Sequence, residues 1–181
     1  MKELPNMRLF TVAILSVAAL GTGVSATKPA PTPAPFNGAW MICEDYQGSR
    51  ICDYNLLAQR GDRVCGIQSY FATNSEYRQR FVATAKANVA RIDKICGDPG
   101  SETDTYCAGE APSGAEKVGW GTSDETLLVC GGRLHGASDG DAPSCAKVNP
   151  QAGLPKVRSL GDQAPEAAER AWLASCVGGA E

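Results

Sequence analysis

From Gly38 to Cys96 apolar and polar residues alternate in short runs broken by turn residues, and this period of two predicts an antiparallel meander. The expected strands are 38–45, 50–60, 63–71, 77–85 and 89–96. With Gln47-Gly48 as central turn residues, Cys43 falls opposite Cys52 in a non-hydrogen-bonded pair, where side chains approach most closely. A second turn at Gly61-Asp62 suits type II′ and sets Ala58 against Cys65 and Leu56 against Ile67. Tyr54, Leu56, Ala58, Cys65, Ile67 and Phe71 then share one face, the expected core side. Arg60-Gly61-Asp62 also spells an adhesion tripeptide, but the turn accounts for it fully.

Beyond the meander, Gly97-Asp98-Pro99-Gly100-Ser101 is a strong turn signal, and a Cys96–Cys107 bridge would close the loop it opens. Two further strands are expected at 117–122 and 126–134, then an irregular loop over 136–150 pinned by Cys145. From Asp162 the pattern changes to a helical one that Gly178-Gly179 stops. Ala164, Ala168, Trp172 and Cys176 recur at helical spacing, which predicts a buried Trp172 and a bonded Cys176, paired with Cys145. The fold class is all-β, an antiparallel meander closing to a barrel of roughly eight strands, with a C-terminal α-helix and several disulfides.

The front of the chain sets the expected compartment. Lys2 and Arg8 precede the apolar run Leu9–Leu20, and Val24-Ser25-Ala26 ends in small residues, the layout of a signal peptide over 1–26. The run is too short to span a bilayer, so no stable membrane insertion of the mature chain is expected. Residues 27–37 begin with alternate prolines and form a Pro-rich spacer; 38–181 make one domain. There are eight cysteines and no metal-type spacing. Cys43, Cys52, Cys65, Cys96, Cys107, Cys130, Cys145 and Cys176 are therefore read as disulfides of a secreted or periplasmic protein. Charge divides the chain: residues 38–96 carry 8 basic and 6 acidic side chains, and residues 97–181 carry 6 and 13. A chain at net −3 with no basic stripe is a poor nucleic-acid binder.

No residue pattern supports catalysis. His135 stands alone in a Gly-rich stretch, without a nucleophile elbow or zinc-protease motif. Asp139-Gly140-Asp141 starts like a calcium loop but lacks the later ligands. Glu44-Asp45 and Asp124-Glu125 are sequence neighbours, expected on opposite faces of a strand. No catalytic, metal or cofactor residue is assigned, and no cofactor is expected.

Gly38-Ala39-Trp40 at the head of the first strand resembles the G-x-W of lipocalins and the wider calycin barrels, avidin-type barrels included. Arg133 is placed like the basic residue that covers the Trp in that group. The resemblance implies a closed barrel in which Trp40 and Arg133 are structural closure residues. Trp172 is a structural residue on separate grounds, as the side chain expected to pack the helix on the sheet. These readings together describe a binding protein without chemistry of its own, taking a protein partner of inhibitor or immunity type. The alternatives are lipocalin-like carriage of a small apolar ligand and a structural envelope role.

Overall fold

The computed structural model describes residues 34–72, 74–137 and 143–179; the expected signal peptide, most of the spacer and Asp139-Gly140-Asp141 lie outside them. Eight strands form a closed antiparallel barrel in simple sequence order. They are β1 (Gly38–Tyr46), β2 (Ser49–Arg60), β3 (Arg63–Ala72), β4 (Ser75–Lys86), β5 (Val89–Gly97), β6 (Thr126–Cys130), β7 (Arg133–Ala137) and β8 (Leu154–Val157). One helix, α1 (Ala167–Val177), follows.

The hairpin registers are the expected ones: Cys43 pairs with Cys52, Ala58 with Cys65 and Leu56 with Ile67. Gln47 and Gly48 both take positive φ, as a type I′ turn requires. The face expected on the core side is buried, but it is not the barrel interior. The barrel interior is the opposite set, Trp40, Leu57, Val64, Phe81, Ala90, Ile92, Leu127 and Leu134. Tyr54, Cys65 and Ile67 point outward, into a second core that α1 covers with Leu173 and Cys176. Period two divides the faces but does not say which is inside when a helix buries the other as well.

Three local features explain the other departures. The register slips from Val82↔Lys94 to Ala83↔Ile92, leaving Asp93 as an extra residue in β5. This bulge turns Ala90, Ile92 and Ile95 all inward, where strict alternation divides them between faces. Gly131 and Gly132, both at positive φ, form a turn that splits the expected strand 126–134 into β6 and β7. Residues 117–122 contribute only isolated bridges, Tyr106↔Val118 and Ile95↔Gly121. β8 closes the barrel on Ala39 and Trp40 from within a stretch with no clear periodicity.

The lower half of the barrel is packed solid. Gly66 lies under the Phe81 ring, where an added Cβ would stand 2.1 Å from a ring carbon. Phe36, assigned by sequence to the spacer, is wholly buried with Trp40 in the same cluster. Its backbone N–H donates to Gln59 Oε1, so the domain begins before Gly38.

Four disulfides staple the shell: Cys43–Cys52, Cys65–Cys176, Cys96–Cys107 and Cys130–Cys145. Such a set belongs to an oxidising compartment. Two pairs follow expectation; the Cys145–Cys176 pairing does not. Cys176 lies over β3, while Cys145 lies against the β5–β6 end, its sulfur accepting from Asn88 Nδ2. The helix begins at Ala167 with a reciprocal capping box between Glu166 and Glu169, not at Asp162. With Cys176 held to Cys65, its inward residues are Glu169, Leu173 and Cys176, so Trp172 sits on the flank and is half-buried. No helix among the described residues is long and apolar enough to cross a membrane.

Candidate functional site

The barrel changes character along its axis. At the lower end the inward residues are apolar, but one layer up they are Asn55, Gln68 and Gln79, paired directly across β2, β3 and β4. Directly paired residues point to the same face, so the three amides form one polar layer, of which Gln68 and Gln79 line the cavity above. Asn55 is only 5% exposed, and its Oδ1 accepts no hydrogen bond among the described residues. Tyr70 rises above this layer; its hydroxyl accepts from Gln79 Nε2 at 3.4 Å and from the Glu102 backbone N–H at 2.6 Å.

The upper wall beside β5 is not a strand. β5 meets β6 only at Val89, Ala90 and Arg91, and the 98–125 connection fills the gap above. It is fixed by reciprocal backbone bonds between Ile95 and Gly121, by Gly97 N–H donating to Thr105, and by Cys96–Cys107. The result is an open cup of about 490 Å³ lined by Gln68, Tyr70, Gln79 and Ile95 and by Glu102, Thr103, Asp104, Thr122, Ser123, Asp124 and Glu125. Four of these are carboxylates and none is basic.

The carboxylates differ in environment. Burial against the wall, with Asp124 and Glu102 close by, pushes Glu125 above the usual carboxyl range. A hydrogen bond and ion pair from Lys117, reaching in from outside, hold Asp104 below it. Burial also raises the Tyr70 hydroxyl, against a smaller opposing effect of the Glu102 N–H. Such a wall favours a cation and supplies acceptors for its protons.

The residues singled out by sequence lie elsewhere. Trp40 is fully buried at the closed end, and the cation over its ring is Lys156, whose Nζ is 4.9 Å from the centroid. Arg133 instead donates to the carbonyls of Ala152 and Gly153, so the basic residue covering the Trp comes from β8 and not β7. Trp172 joins a ladder on the outer surface: Arg80 over Trp172, Trp172 against Trp120 at 6.1 Å, and Lys94 over Trp120. It ties α1 and the 98–125 connection to β4 and β5. His135 is buried on the outer face of β7, beneath Gly153. Among the described residues no group of His, Cys, Asp or Glu is arranged to hold a metal ion. Asp124 and Glu125, expected on opposite faces of a strand, both line the cup because they sit in an irregular segment. Only the acidic excess after residue 96 pointed toward this wall in the sequence.

No family model, curated protein or solved structure matches the chain. The closed eight-stranded antiparallel barrel is compatible with a calycin-like fold.

Proposed function

We propose that this chain is an exported, non-catalytic binding protein that recognises a protein partner through a basic segment presented to its acidic cup. The observation that carries the reading is the cup wall itself, in which Glu102, Asp104, Asp124 and Glu125 surround a polar opening without a basic lining residue. Four disulfides and the signal-peptide layout of residues 1–26 support export. An apolar small ligand has less to bind: the apolar half of the barrel is filled by Phe36, Trp40 and Phe81. A rigid acidic cup favours fast, salt-sensitive association with a basic surface.

Affinity capture from an envelope extract of the source organism tests this. The wild-type chain is expected to retain a basic protein in stoichiometric amount, and Glu102→Gln/Glu125→Gln to lose it. Equal retention by the variant, or capture of an acidic partner, would contradict the reading.

A further inference from the structure

The barrel is closed on β1 over a very short distance. β8 pairs with Ala39 and Trp40 only, while β1 continues to Tyr46 with β2 on its other side. In the two-residue hairpin Tyr46 and Ser49 form the hydrogen-bonded pair nearest the turn, so even-numbered residues of β1 bond to β2. The register of Ala39↔Val157 and Trp40↔Lys156 still sets Met41 opposite Pro155 of β8, but the backbone N–H and C=O groups of Cys43 and Asp45 face away from β2 beyond the residues that β8 pairs. The same parity sends side chains 42, 44 and 46 to the face of Trp40, the barrel side. Ile42 and Tyr46 are 47% and 38% exposed, so among the described residues this edge is open to solvent.

We propose that this edge is a strand-addition site, and that its occupant is an extended basic segment of a protein partner. This inference rests on the reading of the acidic cup and adds how the segment is held. A strand laid against Cys43–Asp45 would gain main-chain hydrogen bonds and send alternate side chains to the barrel side. There they meet Glu44, then Asp53 in the small hollow between Ile42, Ile51 and Phe71, and beyond it the acceptors of the cup. Charge also selects against the simplest rival, a second copy of this chain. Antiparallel self-pairing of Ile42–Tyr46 would set Glu44 of one copy directly opposite Glu44 of the other, and like charges across a pair are destabilising.

The test uses the exported full chain and fluorescent, end-capped synthetic peptides that alternate lysine and valine. Three forms are compared: the lysine peptide, its glutamate counterpart, and the lysine peptide N-methylated at the amides of one edge. Binding of the lysine form is expected, with no detectable binding of the glutamate form. N-methylation, which removes donors but not charge, should weaken binding by about tenfold or more. If the methylated and unmethylated peptides bind alike, strand addition is wrong while the acidic reading stands. If lysine and glutamate peptides bind alike, or the lysine peptide does not bind, both are wrong. A chain that sediments as a dimer, and dissociates when Glu44→Lys is introduced, would assign the edge to a second copy and overturn the proposal.

Discussion

Cys65, wholly buried on β3, is bonded to Cys176 in the last turn of α1, across a sequence separation of 111 residues. Arg63, two residues earlier on the same strand, donates from Nε to the Cys176 carbonyl at 2.8 Å, adding a cation at the helix C-terminus. The helix is therefore fastened to the outer face of β3. A loop of this length loses about 4.7 kcal/mol of closure entropy in the unfolded chain, against about 2.5 kcal/mol for a loop as short as that of Cys43–Cys52. Cys65→Ala/Cys176→Ala should lower the urea midpoint more than Cys43→Ala/Cys52→Ala. The reverse order would show that α1 is weakly attached.

The two tryptophans should separate cleanly by stability. Trp40 is fully buried in the barrel, and Trp40→Ala should cost about 3–5 kcal/mol. Trp172 is half-buried, with a stacked Trp120 and a neighbouring Arg80, and Trp172→Ala should cost about 1–2 kcal/mol. Urea unfolding of both variants in the oxidised state measures the difference. Equal losses would mean that the helix is turned with Trp172 toward the barrel after all.

Glu169 does two jobs for α1. It accepts the Glu166 backbone N–H in the capping box, and its carboxylate meets Arg78 of β4 at 3.2 Å. The Arg78 side chain is 40% exposed, so solvent screens the pair and the cap carries much of the effect. Glu169→Ala should destabilise by about 1–2 kcal/mol. Glu169→Gln should keep part of that, because an amide oxygen can still accept the cap bond. Equal losses for Ala and Gln would place the whole effect in the ion pair.

Glu125 should trade stability for charge. Its carboxyl is raised above the ordinary value of 4.5, so the folded state holds the proton more tightly than the unfolded one. The unfavourable contribution is absent below about pH 4.5, grows as pH rises toward the raised value, and is complete above it. Glu125→Gln should therefore raise Tm at pH 7 and leave it unchanged near pH 4. Solvent reaching the side chain keeps the gain small. A lower Tm at pH 7 would show that the charge is compensated.

Registers were legible where a two-residue turn and period-two alternation agree, as in the pairs Cys43–Cys52 and Ala58–Cys65. What alternation cannot carry is which of two buried faces lies inside the barrel: Tyr54 and Ile67 are core, but of the core that α1 covers. Bulges escape it too: the extra Asp93 shifts every inward residue of β5 beyond it. Helical phase was lost by one position, because a single disulfide to Cys65 chooses between stripes that the spacing of Trp172 and Cys176 leaves equivalent. The cup was the least legible part. Its floor comes from β3 and β4, and its wall from a 98–125 connection held by Ile95–Gly121 pairing rather than by periodic sequence.

The most direct measurement of the central claim is a two-dimensional ¹H–¹⁵N NMR titration of the exported chain with the lysine-bearing peptide. The side-chain amides of Gln68 and Gln79 report on the cup floor, and the indole N–H groups of Trp120 and Trp172 on the outer ladder. Saturable shifts of the Gln68 and Gln79 amides, lost in Glu102→Gln/Glu125→Gln, are predicted. Shifts confined to the Trp120 and Trp172 indoles, with the cup amides unmoved, would contradict the account and move the binding surface to the outside of the barrel.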